Sequence, residues 1–287
     1  MTPSVAFFGF VQWELPGRLG PDPGRYVVRR YAGDVAQHVV VVGGLAAPRR
    51  ARFGGRRPRA AERGATPVEV TRATVISADP IDGLEAADGW LARATADGGA
   101  ATVGAALDVL NRALHARRIA AADPYAGEVT LRDALVIRVG YGTGEEVAAG
   151  QWTAARELPP APARIVREAA LRPQERFAAL LAARDAALAC ELLALRARLD
   201  LDQGRDREAA LQLEAALGAA RSELVSWREL DGMAARLDEL HGLADSVAAA
   251  AAAARAGSLD VAGREAVASA LARLEAALRA RTAAAPF

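Results

Sequence analysis

The sequence predicts an α+β chain. A mostly antiparallel sheet with short helices is expected in the N-terminal half, and an all-helical hairpin or bundle in the C-terminal half. Three observations predict it. Runs of aromatic and β-branched residues recur up to Val139, apolar residues spaced three and four apart dominate beyond Ala163, and Pro159, Pro160 and Pro162 stand between the two patterns. The 287 residues suffice for two domains of ordinary size, an α+β domain over 1–158 and a helical domain over 163–287.

Val5–Trp13 and Arg25–Tyr31 read as strands, because β-branched and aromatic side chains fit a pleated, half-buried surface. The Pro- and Gly-rich Leu15–Gly24 reads as the loop between them. Gln37–Val42 is a third strand, its four consecutive valines indicating burial on both faces. Between 46 and 67 the chain carries Arg49, Arg50, Arg52, Arg56, Arg57, Arg59 and Arg63 among Gly, Ala and Pro, with Glu62 the sole acid. No periodic face can be buried there, so an exposed, flexible segment is expected. Val68–Ile76 returns to strand pattern. Leu84–Ala94 and Val103–His115 read as short amphipathic helices, the second with Val103, Leu107, Leu110 and Leu114 along one face. Val129–Val139 predicts a further strand, ended by a glycine turn at Gly140–Gly144.

Beyond the prolines the pattern is helical. Arg164–Leu171 predicts a short helix, and Pro173 suits the first turn of the next. That helix is expected to run unbroken to about Asp200, with Phe177, Leu181, Leu188, Leu192, Leu195 and Leu199 on its buried side. Gly204 breaks it. A helix near Arg207–Leu224 follows, carrying Leu213, Leu217 and Leu224. The next carries Leu230, Met233, Leu237, Leu240, Ala244 and Val247. The last follows a Gly257-Ser258 stop and a capping residue, Asp260, and carries Val267, Leu271, Leu274 and Leu278. Such spacings form the seams of helix hairpins or coiled coils.

Composition narrows the function classes. Every basic residue is arginine, a coding bias that says little about guanidinium chemistry, and the net charge of +1 makes the whole chain no magnet for nucleic acid or anionic membrane. Cys190 is the single cysteine, which excludes an internal disulfide and a cysteine-based zinc site; within a helix it reads as a small buried side chain. The apolar N-terminus lacks a positive leading region and meets Gln12, Trp13 and Glu14 at once, so a signal peptide is not expected. Ala248–Ala254 is far too short to span a bilayer. A cytoplasmic protein is the expectation.

Two stretches resemble known families. Cys190–Glu223, framed on Gly204, resembles one tetratricopeptide-repeat unit. Leu193, Ala197, Ala209, Leu213 and Ala216 fall where that family alternates large apolar and small residues; Asp200 and Arg221 depart from its pattern, and no second copy follows in register. The resemblance implies a helix pair. Val136–Gly144, with Gly140, Gly142 and Gly144, resembles the first motif of the Rossmann-like S-adenosylmethionine methyltransferases, whose glycines admit a cofactor close to the backbone. Arg138 stands where that family carries an acid, and no following strand is expected.

The remaining candidates are sparse. His38, His115 and His241 lie on different elements without ligand-spaced partners, so no metal site is expected. Trp90, Trp152 and Trp227 are either partner anchors or plugs of their own cores, and Trp227 is placed to seal a helix junction. The leading expectation is a protein-interaction, assembly or adaptor protein without catalysis or cofactor. It would hold a protein partner or another copy of itself through Leu230, Met233, Leu237, Leu240, Leu271 and Leu274. One alternative is a nucleic-acid-associated regulator using Arg49, Arg50, Arg56 and Arg57, with salt-sensitive binding. Another is an enzyme with a small-molecule site near Gly140–Gly144.

Overall fold

The structure is a computed structural model that describes residues 6–29, 31–45, 69–159 and 172–284. The chain divides into two compact units, Met1–Pro162 and Ala163–Phe287. The expected flexible segment 46–67, the helix expected over 164–171, and the arginines Arg49, Arg50, Arg56 and Arg57 lie outside the described residues.

The first unit is α+β, as its sequence predicts. Strands β1 (Ala6–Pro16), β2 (Gly24–Val28), β3 (His38–Leu45) and β4 (Val70–Asp82) precede helices α1 (Leu84–Ala94) and α2 (Ala100–Ala120). Strand β5 (Val136–Gly142), the short helix α3 (Gly144–Ala149) and strand β6 (Ala154–Leu158) follow. The six strands form one sheet in the order β2-β3-β4-β1-β5-β6, every neighbour antiparallel. Strand β1 is its spine. It pairs with β4 on one side, where the register slips between Phe8 and Phe10, and with β5 on the other. At the slip the Trp90 ring lies over Gly9, where a Cβ would sit 2.4 Å from the indole.

Alternation along β1 divides the two faces. Val11, Trp13 and Leu15 pack with Val40, Val42, Ala73 and Val75 beneath α1 and α2, whose Leu91, Val103, Leu110 and Leu114 close that core. The opposite face carries Phe10, Ile76 and Val147, and then turns polar. There Gln12 donates to Thr74 Oγ1 at 3.1 Å, and Arg138 donates to Glu14 at 2.5 Å.

Strand limits differ from expectation where tertiary hydrogen bonds override propensity. The strand expected over Val129–Val139 begins only at Val136. Val129 instead lies in a loop pinned by Asn111, whose side chain both donates to its carbonyl and accepts from its N–H at 2.9 Å. The glycine turn is not a turn: Gly140 and Gly142 lie inside β5, opposite Phe10 and Phe8. Strand β6, which no sequence pattern announced, pairs with the far side of β5.

The second unit is all helical among its described residues. It comprises α4 (Pro173–Leu181), α5 (Ala189–Asp202), α6 (Asp206–Glu223), α7 (Met233–Gly242), α8 (Ala244–Arg255) and α9 (Val261–Ala284). Helix α9 packs on α5, α6, α7 and α8, while α5 and α6 form a hairpin about Gly204, whose φ is 69°. Leu213, Leu217, Leu224, Met233, Leu271 and Leu274 supply the bulk of the core, and alanines such as Ala197, Ala209, Ala216 and Ala270 let the helices approach closely. Asp260 caps α9 as expected, accepting from the Gly263 N–H at 2.7 Å.

Two expectations are corrected here. The helix expected from Pro173 to Asp200 is two helices, broken after Leu181 by a turn in which Ala183 takes φ 54°. Of its expected buried side only Leu188 packs on the core: Phe177, Leu181, Leu192, Leu195 and Leu199 are all exposed, and α5 buries Cys190, Ala194 and Ala197 instead.

Candidate functional site

Helix α5 carries two apolar stripes separated by charged flanks, Arg196 and Asp200 on one side and Glu191, Arg198 and Asp202 on the other. Leu192, Leu195 and Leu199 form one, and Cys190, Ala194 and Ala197 the other, close to opposite on a helix turning about 100° per residue. Glu191 accepts from Arg176 of α4 at 2.6 Å and from Arg281 of α9 at 3.2 Å, and Arg198 donates to Glu275 of α9 at 2.8 Å. Both lie on one flank between the two stripes and tie that flank to α4 and α9. Leu192, Leu195 and Leu199 are left outward, 52%, 69% and 45% exposed. Arg196 is exposed beside them.

The stripe is held by a rigid framework. Arg281, its side chain only 3% exposed, joins Asp185 at 2.7 Å and stacks on the Trp227 ring at 4.5 Å, while Arg176 reaches the same Asp185 at 3.0 Å. Trp227 thus closes the junction that its sequence position indicates. Burial opposes the charge on Asp185, yet hydrogen bonds from Arg176 and the Ala186 N–H, with the Arg281 charge, hold its carboxyl below the ordinary 3.8. Glu223 caps α5 from the end of α6, accepting from the N–H groups of Ala189 and Cys190 at 3.1 and 3.0 Å. The Cys190 N–H bond is the main reason its carboxyl is held below the ordinary 4.5. Cys190 itself is fully buried, and desolvation, then Glu223, pushes its thiol up to about 12, which leaves no thiolate to react at neutral pH.

These shifts have a sign. Both carboxyls are depressed in the folded chain, so the unfolded chain takes up their protons first as pH falls through 4.5 and 3.8. Their stabilisation is complete at neutral pH and lost on acidification. The urea midpoint of the helical unit, followed by far-ultraviolet circular dichroism, is therefore expected to hold steady from neutral down to about pH 5 and then fall. Glu223→Gln is expected to lower the neutral midpoint and flatten that fall; an unchanged profile would remove Glu223 from the account.

The residues expected to bind a partner are placed differently. Met233, Leu240, Leu271 and Leu274 are buried in the unit's own core, with Leu230 and Leu237 packed partly against it. Leu237 and Leu240 do line a cleft of about 310 Å³ with Arg221, Arg228, Asp238 and His241. In the region resembling the tetratricopeptide repeat, Ala197, Ala209, Leu213 and Ala216 are buried and Leu193 packs on the same core.

Around Gly140–Gly144 the space is filled. A Cβ on Gly140 would lie 2.4 Å from the Ala154 carbonyl oxygen and 2.8 Å from the Phe10 ring, so glycine serves strand packing there rather than approach to a cofactor. The methyltransferase-like motif therefore sits in an antiparallel sheet, not beside the parallel strand its resemblance implies. Arg138, at the position of that family's acid, lies over the Trp152 ring at 5.7 Å. Tyr141 donates to Asp88 Oδ1 at 2.5 Å; that bond, then burial, pushes its hydroxyl up to about 12 and keeps it protonated.

The histidines do not converge. His38 is held below its ordinary value by burial and by Arg112, His115 lies 3.8 Å from Glu128, and His241 Nδ1 lies 2.9 Å from Arg221. Among the described residues no group of three or more His, Cys, Asp or Glu is placed to hold a metal ion, and no helix is long and apolar enough to cross a membrane. Comparisons of the chain with models of protein families, with curated proteins and with solved structures returned no match.

Proposed function

We propose that the chain is a non-catalytic adaptor of the cytoplasm, which holds a protein partner on the outward leucine face of α5. One observation carries this reading: Leu192, Leu195 and Leu199 are aligned three and four apart and exposed, while Cys190, Ala194 and Ala197, with Leu193 and Leu201, face the core on the other side of the helix. Full burial of a leucine is worth about 1.5–3 kcal/mol, so each half-exposed one still has about 1 kcal/mol to gain. The spacing suits an amphipathic helix, of a partner or of a second copy, laid along the stripe. Phe177 and Leu181 of α4 add exposed apolar surface to the same unit. A lone, buried cysteine suits a reducing compartment.

The test uses the full chain with a photo-crosslinking benzoylphenylalanine in place of Leu195, exposed to nuclease-treated host lysate. A discrete crosslinked protein is expected at position 195 and not at the equally solvent-facing Ala235 of α7. Leu192→Glu with Leu199→Glu is expected to remove it while leaving the circular dichroism unchanged. Equal labelling at both positions, or a crosslink indifferent to the two glutamates, overturns the reading.

A further inference from the structure

The first unit has a second feature that the leucine face does not explain. Among the described residues, strand β2 is the edge of the sheet and pairs only with β3. Alternate residues of such a strand aim their N–H and C=O groups away from the partner, into open space. Natural edges are usually blunted by charge, proline or a bulge. Here the strand reads Gly-Arg-Tyr-Val-Val, with Tyr26 and Val27 38% and 52% exposed, and its one charge, Arg25, is held on Glu145 at 2.9 Å.

Beside this edge a cleft of about 530 Å³ separates β2 from α2. Val28, Val40 and Val42 of the sheet and Leu110, Ala113 and Leu114 of α2 give it an apolar floor and wall. The cleft is elongated. It follows four successive residues of the chain, Tyr26 to Arg29, which cover about 10–13 Å at ~3.3 Å each. It also follows α2 from Leu110 to Ala120, a rise of about 15 Å. Three arginines line it, Arg29, Arg112 and Arg117, against one carboxylate, Asp22. Arg29 spends its Nε–H on the Asp34 carbonyl at 3.1 Å, while Arg112 and Arg117 form no ion pair among the described residues.

We propose that this cleft binds an extended acidic peptide, added as a seventh strand on the free edge of β2. Its main chain completes the open ladder of β2, its aliphatic side chains enter the cleft against Val28, Ala113 and Ala116, and its carboxylates meet Arg112 and Arg117. The free ladder distinguishes a peptide from a fatty acid, which would use the apolar floor and the arginines but leave the edge unpaired. Arg112 and Arg117 are about 7.5 Å apart along α2 and about 140° apart around it, yet both line the cleft, so two carboxylates on one face of the peptide, about 6.6 Å apart, are offered one guanidinium each.

The probe is a fluorescein-labelled hexapeptide, Val-Glu-Val-Glu-Val-Val, titrated with the full chain at low salt and read by anisotropy. Binding is expected, weakened at least tenfold by Arg112→Glu with Arg117→Glu, by lysine in place of the peptide's glutamates, and by N-methylation of alternate peptide amides. The N-methylated peptide needs no altered protein, so it tests strand addition even if the double variant misfolds. The glutamates at 192 and 199 are expected to leave peptide binding untouched, which separates this proposal from the adaptor face. No binding of the hexapeptide overturns the proposal, as does binding indifferent to N-methylation. So does a cleft that takes laurate but not the peptide.

Discussion

Arg281→Ala is expected to lower the stability of the helical unit by about 3 kcal/mol, at the lower end of what removal of one partner from a buried ion pair costs. Three groups depend on that guanidinium: Asp185 at 2.7 Å, Glu191 at 3.2 Å and the Trp227 ring at 4.5 Å. Without it, two nearly buried carboxylates must share Arg176, which already serves both. The turn between α4 and α5 then loses its tie to α9, and α5 loses one of the contacts that hold its charged flank. Lysine is not expected to restore the loss, since an ammonium cannot bridge two carboxylates and stack on an indole at once. The urea midpoint measures the effect, and a midpoint equal to that of the unaltered chain would show that the network adds nothing net.

Gly140→Ala is expected to destabilise the first unit by about 1–3 kcal/mol, the usual cost of forcing extra volume into a packed site. The added methyl meets a backbone oxygen, that of Ala154, at 2.4 Å, and the Ala155 Cβ at 2.7 Å, so relief requires β6 to move away from β5. Amide hydrogen exchange should then rise first in Ala154–Leu158. The experiment also discriminates between uses of the glycine motif. If these glycines made room for a cofactor instead, alanine would leave exchange in β6 unchanged.

Much of the architecture was legible because local rules governed it. Leu84–Ala94 was readable to the residue, since its periodicity and its flanking glycine agree. The hairpin turn at Gly204 and the cap at Asp260 were readable for the same reason. Three things were not. The strand expected at Val129 yielded to two hydrogen bonds from Asn111, eighteen positions earlier. Strand β6 has only five residues, two of them charged, and exists because β5 offers it a ladder. The partner-binding leucines were assigned to the most regular seam, but a regular seam is also the best core, and Met233, Leu240, Leu271 and Leu274 are spent inside it.

The candidate site illustrates the limit most clearly. Three-four spacing marks Leu192, Leu195 and Leu199 as a stripe, and equally marks Cys190, Ala194 and Ala197. Periodicity alone assigns the larger side chains to the interior, on transfer free energy. In the folded chain Cys190, Ala194 and Ala197 go in, with Leu193 and Leu201 beside them, and Arg281 and Glu275 of α9 hold Glu191 and Arg198 at the boundary between the two stripes. The sequence by itself determined the α+β class and the helical character of the C-terminal segments, both consequences of interactions between near neighbours. Only the tertiary structure decided which stripe faces solvent, where the long helix breaks and which strand is left as an open edge. Those outcomes depend on ion pairs and ladders between residues far apart in the chain, some by ninety positions, which no local pattern encodes.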